Sequence, residues 1–162
     1  MDRLTRDLTY VVDDQELVRS TIEAILQDVG LEVQSFSSGI EFLDAQPRLT
    51  PGGVFLDVRM PKLDGLGVLE RLRQAWPETP VIMISGHADV PMAVSAMRSG
   101  ASYFLEKPFS RDAIEMVVDT ILRDGSSREP LGEDEATGKN AFSNLTKREM
   151  EVLKRLVSGD RN

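Results

Sequence analysis

The sequence has no cysteine, so neither disulfide bonds nor thiolate metal sites can form. Such a chain suits a reducing compartment, and we expect a cytoplasmic protein. No apolar run reaches the roughly 18 residues that a membrane-spanning helix requires, and the first residues are polar and charged rather than a signal core. Basic residues are outnumbered, 19 Lys and Arg against 27 Asp and Glu. The net charge of −8 argues against nucleic-acid binding through the general field of the chain.

Two patterns alternate along the first three quarters of the chain. Short apolar runs, several of them almost continuous, are separated by longer segments whose apolar residues recur at helical spacing. Strands that are buried on both faces of a parallel sheet have the first pattern, and the helices that cover such a sheet have the second. The sequence therefore predicts a doubly wound α/β domain. Its strands are expected at Leu8–Val12, Glu32–Phe36, Val54–Asp57, Val81–Ser85 and Ser102–Leu105.

Several helix ends carry signals of their own. The first apolar stripe is followed by Gly30, and glycine commonly ends helices. Ser38 and Glu41 have the spacing of a capping box at the start of the second helix. Gly65 precedes the third helix, where we expect glycine to permit the turn. Ser110 is placed to cap the fifth helix, which we expect to continue to the end of the domain.

The composition changes after residue 123 and divides the chain into three parts. Residues 1–123 form the predicted α/β domain. Residues 124–144 are rich in Gly, Ser, Asp and Glu, with little apolar surface to bury, and are predicted to be a linker. Residues 145–162 contain a second capping-box pattern, at Thr146 and Glu149, followed by apolar residues at helical spacing. We expect one amphipathic helix there.

Polar residues follow four of the predicted strands, on the side where open α/β sheets bind their ligands. Asp13 and Asp14 come directly after the first strand, and Asp57 ends the third. Ser85 ends the fourth strand, and Lys107 follows the fifth. Taken singly, each has an ordinary explanation as a helix cap, a turn residue or a solvated loop residue. Their joint placement at one edge of the sheet favours a functional site.

The residue types at this edge indicate a particular chemistry. Clustered carboxylates repel one another unless a cation lies among them, and a small set of oxygen ligands suits Mg²⁺, with Mn²⁺ as the alternative. A phosphoryl group is the natural guest, because the cation and the Lys107 ammonium would neutralise its oxygens. A carboxylate oxygen of Asp57 could attack phosphorus in line, and Ser85 could donate a hydrogen bond to a phosphoryl oxygen.

Three sequence segments resemble the receiver domain of bacterial two-component response regulators. They read VVDDQELVR, FLDVRMPKLDGLGVLERLR and VIMISGHADVPMAVSAMRSGASYFLEKPF, and the resemblance extends from Thr9 to about Leu122. The tail, NLTKREMEVLKRLVSGDRN, is similar to the start of a LuxR-type helix-turn-helix domain. Together they resemble the NarL/FixJ class of regulators. This resemblance implies a flavodoxin-like receiver fold with strand order 2-1-3-4-5.

The resemblance also implies roles for the residues of the predicted site. Asp57 would be the phosphoacceptor in a signalling protein that is not an enzyme in the usual sense but supports Mg-dependent self-phosphorylation and autodephosphorylation. Lys107 would bind the phosphoryl group, and its peptide bond to Pro108 would be cis. The metal ligands would be Asp13, Asp14, Asp57 and the backbone carbonyl of Arg59.

Further residues would transmit or tune the signal. Ser85 would be the switch hydroxyl, and Phe104 the switch aromatic that turns inward when Ser85 moves. Arg59 and His87 match positions that influence autodephosphorylation in receivers, although an exposed loop histidine without a role explains His87 equally well. Pro61 belongs to a loop that matches the family pattern.

The implied partners are a sensor histidine kinase and a second copy of the chain. Phosphorylation would promote a homodimer through the face formed by the fourth helix, fifth strand and fifth helix. The candidate residues on this face are Val90, Met92, Arg98, Tyr103, Glu106 and Arg111. A helix-turn-helix reads DNA with its second helix, and only the first is recognisable in residues 145–162. We therefore expect promoter DNA to be bound by a full-length protein and not by these 162 residues.

Three other classes of protein deserve comparison with this interpretation. A haloacid-dehalogenase-type phosphatase also uses an Asp nucleophile, but its signature has a second Asp where this sequence has Arg59. A flavodoxin-like FMN carrier needs a phosphate-binding loop after the first strand, where Asp13 and Asp14 would repel phosphate. A receiver-like module that binds protein without being phosphorylated remains open, and no residue of the sequence favours it.

Overall fold

The computed structural model describes residues 8–87, 89–123 and 152. The five strands are β1 (Leu8–Val12), β2 (Glu32–Phe36), β3 (Gly53–Asp57), β4 (Val81–Ser85) and β5 (Tyr103–Glu106). The α-helices are α1 (Glu16–Asp28), α2 (Gly39–Ala45), α3 (Gly65–Ala75), α4 (Val90–Arg98) and α5 (Arg111–Val117). A 3₁₀ turn covers Gln46–Arg48, and π-helical turns cover Val118–Arg123. Every helix in these ranges is too short or too polar to span a lipid bilayer.

The strands form one parallel sheet in the order β2-β1-β3-β4-β5, so the predicted fold class and strand order are confirmed. Three strands have the predicted bounds, and β3 begins one residue early, at Gly53. The fifth strand is displaced by one residue, because Ser85 pairs with Glu106 at its end.

The helix caps agree with the sequence in part. Ser38 accepts a hydrogen bond from the amide of Glu41 at 3.0 Å, but the Glu41 carboxylate accepts from the hydroxyl of Ser37 at 2.7 Å instead of completing the box. Ser110 caps α5 through the amide of Ala113 at 3.1 Å. The fifth helix does not continue as an α-helix to its end, since its last turns are π-helical.

Aromatic side chains fill one part of the core beside β1. Five ring pairs among Tyr10, Phe36, Phe42 and Trp76 have centroids between 5.3 and 6.4 Å apart. Trp76 is buried with the other three rings. Aromatic clusters of this size anchor the elements that carry them, here β1, β2, α2 and the end of α3.

The remainder of the chain contributes one described residue. Val152 is helical and buried, and it belongs to the hydrophobic core. The predicted linker at 124–144 and the rest of the predicted helix at 145–162 lie outside the described residues. Their boundaries stay predictions.

Candidate functional site at the carboxyl edge of the sheet

The predicted site residues meet at the carboxyl edge of the parallel strands. Asp13 follows β1, Asp57 ends β3, Ser85 ends β4 and Lys107 follows β5. Backbone hydrogen bonds continue past the strand ends and fix these positions. The amide of Asp13 donates to the carbonyl of Phe36 at 3.2 Å, and the amide of Lys107 donates to the carbonyl of Ser85 at 2.7 Å.

Three carboxylates form the centre of the site. Asp13 and Asp57 are buried, Asp14 is exposed, and one oxygen from each lies within 4.8 Å of the others. The Asp13 carboxylate accepts a hydrogen bond from the amide of Gln15 at 2.8 Å. The guanidinium of Arg19, one turn into α1, donates to the backbone carbonyl of Asp13 at 2.7 Å. These contacts hold the loop after β1 in place.

Lys107 brings one positive charge to two of these carboxylates. Its Nζ lies 3.0 Å from Asp13 Oδ2 and 3.4 Å from Asp57 Oδ1. The side-chain oxygen of Gln15 lies 3.5 Å from the same nitrogen. The peptide bond between Lys107 and Pro108 is cis. A single ammonium thus serves two buried acidic groups.

The electrostatics of the site act most strongly on Asp57. Burial, together with repulsion from Asp13, raises the pKa of the Asp57 carboxyl to about 6 from its ordinary value of 3.8. The charge and hydrogen bond of Lys107 act in the opposite direction, and Asp14 adds a smaller repulsion. The positive charge of Lys107 is therefore not enough to compensate the negative charge of the Asp57 carboxylate.

The donor set fits a hard divalent cation. Asp13 Oδ2 is buried and has no hydrogen-bond donor among the described residues, because the Lys107 contact at 3.0 Å is an ion pair without hydrogen-bond geometry. An oxygen of this kind is an available ligand, and the three neighbouring carboxylates supply the ligand type that Mg²⁺ prefers. Asp13, Asp14 and Asp57 are the residues that would hold it.

The two predicted switch residues are both buried. The hydroxyl of Ser85 lies 3.7 Å from the sulfur of Met92 and accepts a hydrogen bond from the amide of His87 at 3.2 Å. Phe104 lies on β5, opposite Met83 of β4, with its ring already buried. The inward movement expected of Phe104 stays a prediction.

The residues expected to tune the site lie at its edge. Arg59 and His87 are both exposed, Arg59 in the loop after β3 and His87 in the loop after β4. Among the described residues, no hydrogen bond or ion pair joins either side chain to the three carboxylates. The carbonyl of Arg59 as a metal ligand, and both tuning roles, stay predictions.

The loop between β3 and α3 corrects one expectation. Gly65 has no left-handed backbone conformation, so it is not needed for the turn itself. Instead, a Cβ at Gly65 would lie 2.1 Å from the carbonyl oxygen of Asp57. The left-handed residue is Lys62, with φ of 70° and a 2.8 Å hydrogen bond from the amide of Leu63 to the carbonyl of Pro61 across it.

The expected dimer face is only partly exposed. Arg98 is exposed, and Val90, Met92 and Glu106 are partly exposed, but Tyr103 is buried and cannot be a surface residue of this face. Its strand lies at the edge of the sheet. Arg111 is exposed but forms ion pairs with Asp28 of α1 at 3.0 Å and with Glu115 at 2.7 Å.

Sequence reasoning missed the supporting contacts of Gln15, Arg19 and Met92. Gln15 and Arg19 stand within the segment that resembles receivers, so their proximity to Asp13 was a signal available from the sequence. The contact of Met92 with Ser85 had no signal, because a methionine on a helix is ordinarily a core residue.

Comparison with known proteins gives the same assignment from independent information. Residues 9–119 match the family described as the response regulator receiver domain. The chain is 37% identical over 158 residues to the transcriptional regulatory protein FixJ of Bradyrhizobium diazoefficiens, covering 96% of this chain and 76% of FixJ.

Two solved structures illustrate the likeness in three dimensions. The receiver domain of NtrX from Brucella abortus has a TM-score of 0.67 and 40% identity, covering 70% of this chain and 97% of that domain. The NtrC4 receiver domain, solved in solution as a beryllofluoride-activated dimer, has a TM-score of 0.69 and 32% identity, covering 73% of this chain and 98% of that domain.

The chain therefore belongs to the response regulator receiver family. It is a two-component response regulator related to FixJ, and domains of this family are signalling phosphoacceptors rather than enzymes in the usual sense.

Proposed function

We propose that the chain accepts a phosphoryl group on Asp57 from a sensor histidine kinase and passes the change to a transcriptional output. The observation that carries the proposal is the pairing of a buried carboxylate at the end of β3 with an ammonium 3.4 Å away, beside two further carboxylates. A buried carboxylate with a pKa raised to about 6 is a perturbed group of the kind that marks functional sites.

The side chains at the site support in-line phosphoryl transfer. An oxygen of Asp57 would attack phosphorus, the bond between phosphorus and the donor would break, and the leaving group would keep the electron pair. Lys107 would direct its charge at the transferred oxygens. A divalent cation held by Asp13, Asp14 and Asp57, with the carbonyl of Arg59, would supply further positive charge.

Loss of the phosphoryl group would follow from the same geometry. Water would attack phosphorus, and Asp57 would leave as the carboxylate. Arg59 and His87 lie exposed at the edge of the site and would influence how water approaches. Autodephosphorylation is thus a property of the phosphoacceptor site itself.

The output would run through Ser85 and Phe104. A phosphoryl oxygen is a strong acceptor for the Ser85 hydroxyl, and movement of that residue would repack Phe104 and bias the face formed by α4, β5 and α5. The beryllofluoride-activated NtrC4 receiver domain is a dimer, which supports a homodimer as the active form here. Promoter DNA would be bound by a protein with a complete helix-turn-helix domain. The protein would act in the cytoplasm.

The test is the intact mass of the protein after incubation with acetyl phosphate and Mg²⁺. We expect a gain of one phosphoryl group, which Asp57→Asn abolishes. Asp44→Asn, which changes an exposed carboxylate of α2 in the same way, is the matched control and should keep the gain. A wild-type protein without any gain would contradict the proposal and favour a receiver-like module that binds protein without being phosphorylated.

A further inference from the structure

Met92 is the resting partner of the switch hydroxyl. It lies in the first turn of α4 with a partly buried side chain, and its sulfur is 3.7 Å from Ser85 Oγ. Ser85 is fully buried, so its O–H cannot turn to water. Since the hydroxyl oxygen accepts from the amide of His87, the O–H itself is donated to the sulfur. A thioether is a weak acceptor, so this hydrogen bond is easily exchanged for a better one.

A charge-assisted hydrogen bond lies at each end of α4. At the carboxyl end, the carbonyl of Gly100 accepts from the guanidinium of Arg73 at 3.1 Å, a charge-assisted bond. At the amino end, the carboxylate of Asp89 caps the amide of Met92 at 2.8 Å, which fixes the Met92 backbone to the helix start. The sulfur contact with Ser85 is therefore a link between the phosphorylation site and the first turn of α4.

We propose that Met92 is a positioning residue that holds the Ser85 hydroxyl in the resting state. When the hydroxyl donates to a phosphoryl oxygen on Asp57, its bond to the Met92 sulfur breaks, and the first turn of α4 loses this link. The inference rests on the proposed function of Asp57. The strength of the hydrogen bond from Ser85 to the Met92 sulfur then sets how readily the domain changes to its activated state.

The test is a titration with beryllofluoride in the presence of Mg²⁺, followed by amide NMR signals, on the wild type and Met92→Leu. Leucine has a similar volume and no acceptor, so the buried Ser85 hydroxyl is left without a resting partner. We expect the half-saturating beryllofluoride concentration to fall by roughly two- to fivefold. This is the effect of losing one weak hydrogen bond that stabilises the resting state over the activated state. Met97→Leu makes the same change in the same helix, away from Ser85, and should titrate like the wild type.

A double-mutant cycle separates positioning from a general effect on packing. In a Ser85→Ala background there is no hydroxyl to hold, so Met92→Leu should no longer change the titration. Half-saturation that is unchanged in Met92→Leu, or that falls equally with and without the Ser85 hydroxyl, would overturn the inference. A wild type that does not respond to beryllofluoride and gains no phosphoryl group would remove the proposed function itself, and this inference with it.

A second measurement needs no substitution at Met92. The methyl group of Met92, labelled with ¹³C, should have different chemical shifts in the unphosphorylated wild type and in Ser85→Ala, because only the wild type has the hydrogen bond to the sulfur. The methyl group of Met97 serves as the reference within the same spectra and should not shift. Identical Met92 signals in the two proteins would contradict the contact.

Discussion

Asp57→Asn should stabilise the folded protein above pH 6 when divalent cations are absent. The folded-state pKa of about 6, against 3.8 ordinarily, means that the buried carboxylate costs free energy once it is charged. The difference is about 2 pKa units, and at about 1.36 kcal/mol per unit it amounts to about 3 kcal/mol. An amide of the same shape carries no charge, so the substitution removes this cost.

The sign of the pH dependence follows from the raised pKa. Well below pH 3.8 the carboxyl is protonated in both the folded and the unfolded chain, and no cost arises. As the pH rises toward about 6, the unfolded chain releases the proton while the folded chain keeps it, and stability falls. Above this range the folded chain carries the buried charge at full cost. The difference in free energy of unfolding between Asp57→Asn and the wild type should therefore grow with pH.

Urea unfolding in the presence of EDTA measures this difference. From about pH 4 to about pH 8 we expect the advantage of Asp57→Asn to increase by about 2 kcal/mol, because part of the cost is already present at about pH 4. Asp44→Asn, at an exposed carboxylate, should differ from the wild type by less than about 0.5 kcal/mol throughout. An advantage of Asp57→Asn that does not change with pH would refute the argument, because a packing effect has no reason to follow a titration.

Two further substitutions test the packing and the charge of the site. Gly65→Ala should lower the free energy of unfolding by about 1–3 kcal/mol in urea unfolding, since the added methyl meets the rigid carbonyl of Asp57. Gly67→Ala, whose methyl meets only the flexible end of Leu63, should cost less, and equal losses would contradict this reasoning. Lys107→Met removes the group that lowers the pKa of Asp57, so the fall in stability with pH, measured in the same EDTA series, should begin at the same pH but extend to higher pH and become larger; a profile like that of the wild type would contradict the ion pair.

The fold, and the residues that form the site, could be predicted from the sequence for physical reasons. Strands buried on both faces must be apolar throughout, which made Val81–Ser85 and its neighbours recognisable. The carboxyl ends of parallel strands meet at one edge, so Asp13, Asp57 and Lys107 could be brought together before any distance was known. Errors arose where tertiary contacts decided the outcome. Tyr103 is buried although its strand lies at the edge of the sheet.

The sequence does not show that Asp13 and Asp57 are buried, and their burial determines the electrostatics of the site. Three carboxylates and one ammonium leave a formal charge of −2 wherever they lie, and on an exposed surface solvent would screen most of it. Here Asp13 and Asp57 are withdrawn from water, one Lys107 is shared between them, and Asp13 Oδ2 has no hydrogen-bond donor among the described residues. The two buried carboxylates therefore share one compensating charge, which leaves an excess of negative charge at the site. Added positive charge at this edge should relieve it, which is why Mg²⁺ is expected to stabilise the wild type more than Asp57→Asn in the same unfolding series.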